Sequence, residues 1–467
     1  MGGFKYMPMG DLSGTLTMNQ LQAAVSSGLI DTIMVGLVDM QGRIVGKRIP
    51  ADFFLSDILE PGMHFCKYLL GTEMEMGTPD GYRMMSWDEG YGDWTARPDL
   101  TTIRPLPWLA GTALVLSDVY DHEGNMVAIS PRQVLQHQVE RARQLGFEPV
   151  MATELEFYLW RETYESAHDK GYQNLERSSS YLEDYHFLQS TKFEPFYRQV
   201  RQQMQDAGIP IISAKGEAGP GQYEINWLHG PAVAAADRHA IFKHGLKEIA
   251  IANQLAVTFM AKPDQQFAGS SCHVHVSLID RATGKNAFAP IQHGSTEMSP
   301  VGQSFLAGQL ALAQEFTLLY APTVNSYKRY ASASWAPVNI AWAYDNRTCG
   351  LRLVGEGQGL HIENRLPGAD ANPYLTLAGI LAAGLWGIEH GLHCPPEYHG
   401  NAYNDADLPR VPTKLDLALN LFESSHAAKE SLGESVVAHY LNAGRVEQNT
   451  YDAVVTSWER DRYFERI

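Results

Sequence analysis

The sequence predicts an α+β fold in two parts. Three observations carry that reading. Strand-like and helical runs are interspersed without the regular spacing of βαβ units, so a doubly wound parallel sheet is not expected. The 467 residues, 45% of them hydrophobic, suffice for a sizeable core and for two or more domains. The segment "IRPLPW" (103–108) interrupts the pattern and places a boundary near 105–110.

Each element has a local reason. Residues 31–50, "DTIMVGLVDMQGRIVGKRIP", read as a hairpin: a β-rich run to Val38, a turn at Met40–Gly42 and a basic strand back to Pro50. Residues 71–100 crowd Gly, Pro, Asp, Met and Trp together and read as a long irregular loop. Their Met and Trp content argues for a functional loop over a disordered one. "ALVLSDVYD" (113–121) is a buried strand, and "SPRQVLQHQVERARQL" (130–145) a helix with Ser130 as N-cap and Pro131 at its first position. "FEPVMATELEFYLW" (147–160) is a strand, "AAADRHAIFKHGLKEIAIANQL" (234–255) an amphipathic helix, and 261–278 returns to sheet. Helical patterns follow at 301–320 and 371–391. "VPTKLDLALNLFESS" and "TYDAVVTSWERDRYFERI" close the chain as helices.

Composition excludes several classes. A formal charge of −17 repels phosphate backbones and argues against nucleic acid as a partner. The four cysteines, Cys66, Cys272, Cys349 and Cys394, are widely spaced and form no CxxC pair. Neither a disulfide framework nor a zinc–thiolate site is expected, and a cytoplasmic location fits. No apolar run reaches the roughly eighteen residues of a membrane span. The first residues lack the apolar region of a signal peptide, and Tyr6 stands where a myristoylation signal wants Ser or Thr.

The chemistry lies in carboxylates, imidazoles and guanidiniums. In "GSSCHVHVSL" (269–278), strand alternation turns His273 and His275 onto one face with Ser271 and Ser277; the wet side of a sheet explains this equally well. "TELEF" sets Glu154 and Glu156 at i and i+2 in an apolar neighbourhood, which is costly unless the face is solvated or a cation sits between them. Glu217 and Glu224 flank the Gly-Pro-Gly turn of "KGEAGPGQYEINW", in isolation an ordinary exposed turn. Glu363 alternates with His361 and Arg365 in "LHIENRLPG". Five carboxylates and a histidine on separate β-segments suit two hard divalent cations, Mg²⁺ or Mn²⁺. Arg329, Arg347, Arg352 and Arg365 fall close together, and guanidinium forks bind phosphate or carboxylate. Singly each reads as a surface ion pair. Together with the carboxylates they suggest metal-assisted phosphoryl transfer.

These residues sit in motifs that resemble the glutamine synthetase family. "GSSCHVHVSL", "NSYKR", "NRT", "IENRLPGADANPYL" and the Glu-x-Glu strand occur in that family's order and approximate spacing, and the resemblance covers nearly the whole chain. It implies an N-terminal β-grasp domain (18–108) and a C-terminal catalytic domain of the glutamine synthetase/guanido-kinase type (109–467). It also implies a homo-oligomer of stacked rings, commonly a dodecamer, with active sites shared between neighbouring subunits. Residue by residue, the resemblance assigns one metal to Glu156, Glu217 and Glu224 and a second to Glu154, His273 and Glu363. It assigns His275 and Ser277 to the nucleotide, and Arg347 and Arg352 to ATP phosphates and the transferred phosphoryl group. Gly269, Arg329 and Arg365 fall to the substrate L-glutamate. Asp93 matches an aspartate that reaches into the neighbouring subunit's site. Tyr403 falls near the position where some members carry an adenylylated tyrosine.

The amine side departs from the family pattern. Ammonia-using members carry a glutamate just before "AP", where this chain reads "SASWAPVN" with Trp335. Their Asp-Gly-Ser-Ser loop is also missing, with "KYLLGTEMEMGTPDGYRMMSW" in its place. Both lost groups are anionic and serve a small cation, so a bulky Trp and several Met in their stead point to an apolar amine. Glu73, Glu75 or Asp80 are the alternatives for a displaced carboxylate. On the nucleotide side, Ile212 stands near a family glutamate, Ala268 replaces an asparagine, and "GEGQG" lacks a matching lysine. The resemblance therefore implies a γ-glutamyl-amine synthetase: ATP phosphorylates the γ-carboxylate of glutamate, and an aromatic or short alkyl amine attacks. An ordinary glutamine synthetase using ammonia and a non-catalytic regulatory relative are the rival readings.

Overall fold

The computed structural model describes residues 12–291, 297–331 and 334–467; the Tyr6 reading falls outside them. The architecture is α+β, built on two sheets. The expected hairpin is strands β1 (Thr32–Val38) and β2 (Ile44–Pro50), antiparallel from Thr32↔Pro50 to Val38↔Ile44. Its turn is closed by Asp39, whose carboxylate accepts the backbone N–H groups of Gln41 (3.0 Å) and Arg43 (2.8 Å) and the Arg43 Nε (2.6 Å). Four further strands complete the sheet: β3 (Met63–Cys66), β4 (Asp93–Pro98), β5 (Arg104–Pro105) and β6 (Thr112–Tyr120). The order is β2-β1-β6-β4-β3, with β5 on β6 and a parallel β1–β6 pair at the centre. This mixed sheet is the β-grasp-like unit that the resemblance implies. The strand β6 lies beyond residue 108 yet is hydrogen-bonded to β1, β4 and β5, so the chain leaves this sheet only after Tyr120. The expected loop at 71–100 is shorter than predicted. Its end folds as β4 because Trp94 and Ala96 alternate into the core.

The second sheet has nine strands: β7 (Phe147–Trp160), β8 (Ile211–Gly216), β9 (Gln222–Trp227), β10 (Gly230–Pro231), β11 (Ala256–Thr258), β12 (Cys272–Asp280), β13 (Trp342–Tyr344), β14 (Leu351–Val354) and β15 (His361–Asn364). The main path runs β13-β14-β15-β12-β7-β9-β8. Helices Pro131–Gln144 and Ala232–Ala252 pack on β7, and Pro373–Glu389 packs on both of them and on Pro300–Leu312. In the last pair Gly308 and Gly387 permit close approach, since a Cβ on either would lie 2.1 or 2.2 Å from a carbonyl of the other helix. The helices cover one face of β7: along its first half Pro149, Met151, Thr153 and Leu155 are buried while Val150, Ala152 and Glu154 are half-buried on the other face.

Several expectations change. Helix Ala232–Ala252 is buried on most sides instead of amphipathic, because it is held between β7 and other helices. Residues 261–271 are not continuous strand; Ser271 forms an isolated bridge to Gly368 and the strand begins at Cys272. The 301–320 pattern breaks into Pro300–Leu312 and Thr317–Tyr320, and the tail breaks between Asp452 and Ser457. Pro131 opens its helix as predicted, but the Ser130 side chain makes no cap hydrogen bond. No described helix is long and apolar enough to cross a membrane.

Arg132 joins the two units. Its guanidinium reaches Asp99 (2.6 Å) and Asp118 (2.5 Å) from the first sheet and Asp237 (3.1 Å) from the buried helix. Tyr374 also donates to Asp237 at 2.6 Å. Replacing Arg132 with Met leaves three carboxylates without their shared cation. A loss of about 3–5 kcal/mol is expected, read as a lower urea midpoint; an unchanged midpoint would contradict this coupling.

Candidate active site

Strand register sets the chemical groups side by side. Across β8, β9 and β7, Lys215 pairs with Glu224 and Glu224 with Glu156. Across β7 and β12, Glu154 pairs with His273. Across β12, β15 and β14, His275 pairs with Glu363 and Glu363 with Arg352. Directly paired residues share a face, and so do positions i and i+2, so the whole set projects from the face opposite the helices.

Two clusters result. Glu156, Glu217 and Glu224 bring ligand atoms within 4.8 Å of one another, and so do Glu154, His275 and Glu363. His273 Nδ1 lies 3.3 Å from Glu154 and 3.5 Å from Glu363, so both imidazoles border the second cluster. The two clusters differ electrostatically. Burial and the neighbouring Glu217 charge push Glu156 up to about 8. Burial and the Glu224 charge push Glu217 up to about 7, and burial with the charges of Glu154 and Glu156 pushes Glu224 up to about 7. Lys215, hydrogen-bonded to Glu217, and Arg329, acting on Glu156, offset these three acids only in part. In the second cluster, burial would also raise the acids but is outweighed. Hydrogen bonds from His273 and His275 hold Glu154 well below the carboxylate range, and Arg365 with the two imidazoles holds Glu363 at about 2. Burial and Arg365 lower His273 to about 4, and its buried Nε2 has no partner.

The clusters open into a cavity of about 770 Å³. Gly269 lines it, and a Cβ there would meet the Ala261 carbonyl at 2.6 Å and Arg329 Cγ at 2.7 Å. Arg347, Arg352 and Arg365 also line it. Arg352 bonds Glu363 (2.9 Å) and Asp345, while Arg365 bonds Glu363 (2.7 Å). Trp335 stands at the wall, 62% exposed and in the left-handed backbone region at φ +64°. Such a backbone is rare for a bulky residue and stores strain at this position.

Four expected residues do not line the cavity. Arg329 is buried beneath the cavity, its donors engaged by Ser271 Oγ (2.8 Å) and the carbonyls of Arg365 (3.0 Å) and Leu366 (2.8 Å). His275 belongs to the second cluster but does not line the cavity; its ring lies 5.0 Å from that of His361 at a tilt of 59°, and Ser277 follows on the same face of β12. Asp93 opens β4, exposed and away from the cavity of its own chain. Glu73, Glu75 and Asp80 do not line this cavity either. Tyr403 donates its hydroxyl to the Ala336 carbonyl (2.9 Å), beside Trp335. Two features escaped sequence reasoning. Lys215 lies two residues before Glu217, a spacing that carries a signal only once β8 is recognised as a strand. Tyr185 and Phe187, 67% and 80% exposed, border the cavity from a segment with no periodic pattern.

Buried oxygen ligands held apart from water are the donor set of hard divalent cations, and the raised acids of the first cluster fit that role. Paired carboxylate clusters with arginines over them define a centre that handles cations and anions together. The chain belongs to the glutamine synthetase family: residues 128–463 match the glutamine synthetase catalytic domain. It is similar to a gamma-glutamylethanolamide synthetase of Streptomyces coelicolor, 48% identical over 461 residues, covering 99% of this chain and 98% of that protein. A glutamate–isopropylamine ligase of a Pseudomonas species is 38% identical over 441 residues, 94% of this chain and 96% of that one. Among solved structures, a GmaS/ADP complex superposes with a TM-score of 0.83 at 27% identity, covering 96% of this chain and 100% of that chain.

The raised acids make a pH prediction. Folding lifts their proton affinity above that of an unfolded glutamate, so without a cation this cluster's contribution to stability falls as pH rises from about 4.5 through 8. A cation must displace those protons. Mg²⁺ affinity is therefore expected to rise between pH 6 and 8 and to level off above, with proton release in calorimetry run in two buffers. A pH-independent affinity would contradict the cluster's role.

Proposed function

We propose that this chain is an ATP-dependent ligase joining the γ-carboxyl group of L-glutamate to a small primary amine through a γ-glutamyl phosphate. The observation that carries the reading is the single cavity on which two carboxylate clusters, three arginines and an exposed tryptophan converge. Glu156, Glu217 and Glu224 would hold one divalent cation. Glu154, Glu363 and His273 through Nδ1 would hold the other, with His275 and Ser277 beside the nucleotide. Bound Mg²⁺ or Mn²⁺ neutralises charge that otherwise keeps triphosphate and carboxylate apart. Arg347 and Arg352 receive the phosphates, as guanidinium forks do. Gly269 and Arg365 receive glutamate. Arg329 acts as a positioning residue, holding Ser271 and the Arg365 backbone from below.

In the reaction the γ-carboxylate oxygen takes the γ-phosphoryl group and ADP departs. The neutral amine then attacks the carbonyl carbon, loses a proton, and inorganic phosphate leaves. Trp335 replaces an anion with an apolar surface, which disfavours ammonium and favours an alkyl chain. The relatives named above act on two- and three-carbon amines, which supports a short alkyl amine over an aromatic one. By the same family relation we place Asp93 in the neighbouring subunit's site, within a cytoplasmic dodecamer of stacked rings.

An amine panel tests this. With glutamate and ATP, ADP release is expected to be at least about tenfold more efficient with ethanolamine or isopropylamine than with ammonium or spermidine. Ammonium as the best substrate would restore the ordinary glutamine synthetase reading. Trp335→Ala should raise KM for isopropylamine about tenfold while leaving turnover with ammonium unchanged. Glu154→Ala and Glu363→Ala should each abolish ADP release with assembly intact. Full activity in both would favour a site without the second cation.

A further inference from the structure

A second cavity, of about 640 Å³, shares none of the residues assigned to the reaction. Its walls are the β1–β2 turn, the start of the 71–92 loop, one side of helix Ala232–Ala252 and helix Glu434–Asp452. One wall is cationic. Lys243 and Lys247 stand one helical turn apart, their ammonium groups 5.3 and 5.8 Å from the Phe259 ring centre. Lys243 donates to the Ala369 carbonyl at 2.8 Å; among the described residues neither lysine has an ion pair, and Lys247 has no hydrogen bond. Lys243 is half-buried with one carbonyl partner and the nearby Asp370 charge to offset its lost hydration, and an anion bound between it and the exposed Lys247 adds to that compensation.

The cavity is also lined by acids, Glu73, Glu75, Asp370 and Glu447, of which Asp370 is close enough to Lys243 for the two charges to act on each other. Asp370 accepts from Thr323 (2.9 Å) and Ser326 (2.5 Å) through Oδ2, while its Oδ1 is buried with no partner. Glu447 receives the Val324 N–H at 3.2 Å. Met260, Phe259 and Leu318 add apolar surface to the same lining. Two lysines, an acid with an unpartnered buried oxygen and apolar side chains around one cavity are complementary to one molecule that carries a carboxylate, an ammonium and a hydrocarbon body.

We propose that this cavity binds a free α-amino acid with an apolar side chain, its carboxylate on Lys243 and Lys247 and its ammonium toward Asp370 and Glu447. Isothermal titration of the intact protein with L-leucine tests it. Saturable binding is expected, weakened about tenfold or more in Lys247→Gln and in Glu447→Gln, each loss matching one charge-assisted hydrogen bond. Lys247 is exposed and Glu447 half-buried, so both variants should retain the wild-type melting temperature and ligase turnover. Glu156→Gln, which disables the carboxylate cluster, should leave leucine binding unchanged; this separates the second cavity from the catalytic one. 4-Methylpentanoate, which lacks the ammonium, should bind at least about tenfold more weakly than leucine. The proposal is overturned by absence of saturable leucine binding, by unchanged affinity in Lys247→Gln, by equal affinity for 4-methylpentanoate, or by loss of binding in Glu156→Gln.

Discussion

Three glutamates held within one another's field, Glu156, Glu217 and Glu224, are the constraint around which the catalytic unit is arranged. Like charges away from water repel and lose hydration, so each acid retains a proton far above the ordinary range. Packing has to hold them together against that cost. The helices on the opposite face of β7 do so, because they bury Met151, Thr153 and Leu155 and thereby fix which face Glu154 and Glu156 occupy. A one-residue slip in β7 would turn both acids into the helix layer. The second cluster is arranged differently, with imidazoles and guanidiniums already compensating Glu154 and Glu363. One half of the centre thus holds acids with little compensation, while in the other half imidazoles and guanidiniums offset part of the acidic charge.

That asymmetry bears on the chemistry. A triphosphate and a carboxylate must meet although both are anions, and the cations and arginines lower the barrier to their approach. The amine needs the opposite: it must arrive neutral at a place where no anion traps it as ammonium. Under the proposed function Trp335, held in a strained backbone conformation and tied through Ala336 to Tyr403, is the uncharged wall there. On that proposal the polar and apolar sides of one cavity sort three substrates by charge.

Much of this was legible in the sequence, for physical reasons that differ by element. The strand at Phe147–Trp160 was bounded correctly because a β-rich run follows a helix with clear end signals. The members of the first carboxylate cluster were grouped through the family resemblance, since Glu217 and Glu224 by themselves read as an exposed turn and only the Glu154–Glu156 pair stood out by its apolar surroundings. Other features depend on contacts between distant segments. Helix Ala232–Ala252 lost its expected polar face because neighbours cover most sides of it. Arg329 reads as a ligand-binding arginine, yet backbone carbonyls some 36 residues away take up its donors. Lys215 and the Tyr185–Phe187 segment border the site through strand pairing and loop placement, which no local pattern encodes.

The central claim is that two cations occupy neighbouring positions on one sheet face. Crystals grown with Mn²⁺ and recorded at the manganese absorption edge test it most directly. The account predicts two anomalous peaks, one among Glu156, Glu217 and Glu224 and one between Glu154, Glu363 and His273. Manganese bound elsewhere, or no peak at the three-glutamate cluster, would contradict it.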